Sequence, residues 1–137
     1  MPHDPELVAE TKGWFAKAQT DIRAATHEWT AQPPLVEDMV FHAQQAVEKC
    51  FKGFLTWHGF TFRKTHNLEE LGESCLRLDS TLKRAVDKAV PLTEYAWKFR
   101  YPGEPESPSR EEASEAMAIA REVYESLLAR LPDDVRP

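Results

Sequence analysis

Glycine is scarce in this 137-residue chain, five residues in all, and cysteine scarcer still at two. With so few glycines there is no Gly-rich loop to cradle phosphate, so neither a P-loop nor a dinucleotide fingerprint is present. Two thiols, Cys50 and Cys75, do not make a disulfide framework, and each stands among apolar helical positions as a small hydrophobe. Ligand residues at tight metal-binding spacing are missing, so no metal and no cofactor is expected. Long apolar runs are missing as well; none approaches the ~20 residues of a membrane span. Met1-Pro2-His3-Asp4-Pro5 carries no basic stretch followed by an apolar core, so no secretion signal is expected and the protein is read as soluble and cytoplasmic. Positive charge is in deficit. Seventeen Lys and Arg face 23 Asp and Glu, a net charge of −6, which argues against a general affinity for nucleic acid but permits a local basic site.

What is present favours helix. Hydrophobic residues make up 42% and charged residues 29%, with Ala, Glu, Leu and Lys abundant. The ten prolines fall at the ends and in clusters that separate periodic segments. Asp4-Pro5 reads as a cap and first position of a helix reaching about Trp29, and Pro33-Pro34 breaks it. A second helix runs from about Leu35 to His58 and stops at Gly59. Asn67 with Glu70 opens a short third helix over 68 to about 77. Asp79-Ser80-Thr81 opens a fourth, ending before Pro102, with Pro91 expected to kink or split it. Ser109 with Glu112 opens the last, to about Leu131, and 132–137 is read as a frayed tail. No segment alternates with a period of two, so the expected fold is all-α: a single-domain, up-and-down bundle of about five helices, core 5–131, with two long antiparallel members.

The second helix carries two stripes. Val36, Val40, Ala43, Val47, Cys50, Phe51 and Phe54 recur at helical steps as a core face. Gln45, Glu48, Lys49 and Lys52 recur at the same steps on another face. A Glu48–Lys52 pair at four-residue spacing accounts for two of these as ordinary helix support; Gln45 and Lys49 are left over. His66 stands beside a helix start, placed either to bind an anion with free backbone amides or to hydrogen-bond the neighbouring helix. Arg100 and Tyr101 stand at the expected end of the fourth helix, where a guanidinium suits both the helix dipole and a bidentate phosphate contact. Trp97 and Tyr95 are near enough to stack a base, although aromatics at this spacing commonly fill a core. Lys49, Lys52 and Arg100 are expected to be exposed, with Lys49 or Lys52 within about 10 Å of Arg100, the scale of a ligand pocket.

Gln44-Gln45-Ala46-Val47-Glu48-Lys49-Cys50-Phe51-Lys52, then Thr65-His66-Asn67-Leu68-Glu69-Glu70-Leu71, resembles consecutive helices of the HEPN family. Arg100-Tyr101-Pro102 resembles the end of that family's fourth helix, and Ser109-Arg110-Glu111-Glu112-Ala113 the start of its last. The likeness spans roughly 10 to 131. It implies a prokaryotic helical domain that dimerises, binds nucleotide or RNA, and is encoded beside a minimal nucleotidyltransferase in a toxin–antitoxin-like pair. Ribonuclease members resemble one another in an Arg separated from a following His by four to six residues. Here Arg100 is followed at those spacings by Pro105, Glu106 and Ser107. A residue titrating near neutrality is thus missing where acid–base cleavage of RNA would need it. The leading expectation is a non-catalytic binding or interaction module; the alternative is a metal-independent ribonuclease toxin with a degenerate site. A homodimer is expected, with Trp14, Trp29, Met117, Val123, Tyr124, Leu127 and Leu128 as an aromatic and aliphatic excess available to an interface.

Overall fold

The structure, a computed structural model, describes residues 2–103 and 106–137. Five α-helices follow one another: α1 Pro5–Trp29, α2 Val36–Trp57, α3 Leu68–Leu78, α4 Lys83–Ala89 and α5 Arg110–Leu128. Short 3-10 turns cover Ser80–Leu82, Val90–Ala96 and Asp133–Val135, and the described residues contain no strand. The all-α bundle expected from the periodicity is what forms.

Local chemistry sets the boundaries. The Asp4 carboxylate accepts from the Glu6 amide at 2.9 Å to start α1. Asn67 accepts from the Glu69 and Glu70 amides to start α3. The full capping box of Ser109 and Glu112 starts α5. Gly59, at φ 68°, closes α2 in a conformation that side chains resist.

α2 lies at the centre, against α1, α5 and α3. Met39, Val40, Ala43, Val47, Cys50, Phe51, Phe54 and Leu55 are buried on it. Its approach to α1 is close enough to require glycine: a Cβ on Gly53 would stand 2.7 Å from the Phe15 ring.

Three expectations need correction. The fourth helix does not run to Pro102: regular α-helix ends at Ala89, and the 3-10 turn through Pro91 ends at Ala96. Pro91 has no amide to donate, and the Thr93 hydroxyl donates to the Val90 carbonyl at 2.7 Å. The tail does not fray. Val135 is fully buried in the turn Asp133–Val135, which packs against α1. Finally, Met117, Val123, Tyr124, Leu127 and Leu128 are core residues of the single chain, not surplus for an interface. Trp29 is exposed and Trp14 half-buried.

Candidate functional site

The polar stripe of α2 is not a solvated face. Glu48 is 4% exposed and Lys52 8%, so both charges are taken out of water. Such a carboxylate persists as an ion only when its oxygens are occupied. Glu48 accepts from Lys52 Nζ at 3.0 Å, from Gln44 Nε2 at 3.3 Å, and pairs with His66 Nδ1 at 2.6 Å. Gln44 Nε2 also donates to the His66 carbonyl, and Gln45 donates to Gln44 Oε1 at 2.8 Å. Lys52 lies 5.7 Å from the Trp14 ring centroid. The expectation that Lys52 is exposed therefore fails, because α2 is covered on this side by the loop that carries His66.

His66 takes the second of its two readings. Its ring bonds α2 while most of the side chain stays in solvent. The backbone amides that an anion would need are already in use. Asn67 caps Glu69 and Glu70, and the Leu68 amide donates to Thr93 Oγ1. Arg63, from the same loop, is held by Glu70, which raises its pKa. Lys49 reaches across to α1 and pairs with Asp21 at 2.6 Å.

Arg100 is different. Phe99 just before it is buried at φ 67°, in a left-handed conformation that costs a bulky residue of order 1–3 kcal/mol. That turn lays the Arg100 guanidinium over the Phe41 ring, 3.6 Å from its centroid. Among the described residues no carboxylate pairs with it, and the residue is exposed. Because the regular helix ends at Ala89, Arg100 is not a helix-end residue and the dipole does not account for it. Trp97 (58% exposed) and Tyr101 (70%) stand near it in the chain, while Tyr95 is buried and reaches Glu112 at 3.3 Å. Phe41 precedes Lys49 by eight residues and Lys52 by eleven, about 12 and 16 Å along the axis. Lys49 and Lys52 are consumed in ion pairs, and Arg100 rests on a residue of α2 two to three turns before them, at about 3.6 residues per turn.

A model of the HEPN domain matches residues 11–131. The chain belongs to the HEPN family. No curated protein and no solved structure matches it significantly. The five clefts described on this HEPN domain, of about 290 to 650 Å³, are lined by none of the seven candidate residues. One of them opens at the start of α2, between Leu35–Asp38 and Ser107. No helix is long and apolar enough to cross a membrane among the described residues, and no metal-binding cluster occurs among them. Burial pushes the Cys50 and Cys75 thiols well up, which leaves neither as a nucleophile.

Several participants escaped the sequence reading. Phe41 was visible only as an apolar residue, Asp21 lies 28 positions from its partner, and a second carboxylate–histidine pair, Glu28 with His42 at 2.8 Å, joins α1 to α2 beside Phe41.

Proposed function

We propose that this HEPN domain is a non-catalytic module that binds phosphate-bearing nucleotides or RNA ends through Arg100. The carrying observation is a guanidinium fixed on an aromatic face, without an internal counter-charge among the described residues, with two exposed aromatic residues close to it in the chain. Such a group offers a planar, bidentate edge to phosphate, and Trp97 or Tyr101 offers a stacking surface to a base. The open surface around it suits the end of a chain more than an enclosed small molecule. Gln45, Glu48, Lys49, Lys52 and His66 then act as the scaffold that fixes α2 and its following loop, with Tyr101 and Arg100 making contact.

Family membership supports a homodimer and a minimal nucleotidyltransferase partner in a toxin–antitoxin-like pair. The ribonuclease alternative gains nothing from the chain order after Arg100, and no other arginine of the chain has a histidine five to seven positions beyond it. A thermal-shift screen of ATP, other nucleotides and short RNAs tests the reading. A rise in Tm with phosphate-bearing ligands, weakening as salt rises, is expected; no response from any of them would refute it.

A further inference from the structure

The Glu28–His42 pair lies against the residue that carries Arg100. Phe41 and His42 are consecutive on α2, and their rings meet edge to face with centroids 5.7 Å apart. The guanidinium carbon of Arg100 is 3.6 Å from the same Phe41 centroid. Guanidinium and imidazole are therefore no more than about 9 Å apart, within the span of one pocket-sized ligand.

The chemistry of the pair fixes what His42 presents. Glu28 Oε1 lies 2.8 Å from Nδ1, and both side chains are mostly buried. A carboxylate only accepts, so Nδ1 carries the proton and, in the neutral ring, Nε2 is left with a lone pair. Nε2 has no hydrogen-bond partner among the described residues. The same arrangement orients imidazoles elsewhere in protein chemistry, where an acidic neighbour selects the tautomer. Here it leaves a hydrogen-bond acceptor on a ring no more than about 9 Å from a cation, the sum of the two distances through Phe41.

We infer that His42, oriented by Glu28, accepts a hydrogen bond from a ligand hydroxyl while Arg100 holds the phosphate, so that the site selects ribonucleotides over nucleotides lacking ribose hydroxyls. This rests on the Arg100 reading above and adds a specificity residue to it. A nucleoside monophosphate carries both groups, an anion and a vicinal diol a few bonds apart. A site with Arg100 alone recognises phosphate without regard to the sugar. A polar group left without its partner in the site is what makes such discrimination effective.

The test compares AMP with 2′,3′-dideoxy-AMP by titration calorimetry on the whole protein. The wild type should bind AMP about five- to tenfold more tightly, the effect of one net hydrogen bond. In the double variant His42→Phe/Glu28→Gln, which leaves no buried charge unpaired, the two ligands should bind equally. The His42 Nε2 resonance of the wild type, read by nitrogen-detected NMR, should move with AMP and stay in place with the dideoxy form, whatever the stability of the variant. Equal affinities for the wild type with an unmoved resonance would overturn the role of His42 and leave Arg100 standing. Absence of binding by either ligand would overturn both.

Discussion

At the scale of single residues, the contrast between Lys52 and Arg100 decides how the α2 surface is understood. Both are cations near one polar stripe, yet one is consumed internally and the other is offered outward. Removing Lys52 leaves Glu48 buried with His66 and Gln44 as its remaining donors. Lys52→Ala should therefore cost about 3 kcal/mol, the penalty for orphaning one member of a buried pair. Urea unfolding measures this directly; a change below ~0.5 kcal/mol would mean that water reaches Glu48 and the pair is only superficial. The residue types were legible in the sequence, and so was the Glu48–Lys52 spacing. Their burial was not, because a second polar stripe on a helix normally faces water. That rule assumes one covering layer. α2 has several, and the loop after Gly59 folds back to supply a histidine to the stripe.

At the scale of elements, caps and breakers were the most readable features. Asp4, Asn67 and the Ser109–Glu112 box each act where local hydrogen-bonding chemistry put them. The fourth segment was less readable: a proline predicts interruption but not whether the chain resumes α-helix beyond it, and here it continues as 3-10 turn. The left-handed Phe99 has no sequence signature at all, since a bulky residue at positive φ is held there by its surroundings. The α1–α2 contact, by contrast, depends on one small residue. Gly53→Ala would place a methyl carbon 2.7 Å from the rigid Phe15 ring, so the helices must separate or the ring must turn. Despite the better helix propensity of alanine, destabilisation of about 1–3 kcal/mol is expected from overpacking. A variant that melts above the wild type would show that the contact has slack.

At the scale of the whole molecule, one bundle leaves three of its fourteen aromatic residues exposed: Trp29, Trp97 and Tyr101. Trp29, Leu35, Leu78, Trp97 and Tyr101 are the large apolar or aromatic side chains left exposed among the described residues. The case for a dimer shifts accordingly, away from the α5 residues that fill the core and toward Trp29 and Leu35 at the connection of α1 and α2. Light scattering should give twice the 15.7 kDa chain mass at micromolar concentration; a monomer there would refute the dimer.

The claim that Arg100 is a ligand-binding group has the most direct test of all. Its side chain is exposed and has no acceptor among the described residues, so Arg100→Ala should leave unfolding within ~0.5 kcal/mol of the wild type. Calorimetric titration with ATP should then show at least about a tenfold loss of affinity, as expected for removal of a charge-assisted contact of 1.5–3 kcal/mol. An unchanged affinity in the folded variant would contradict the assignment.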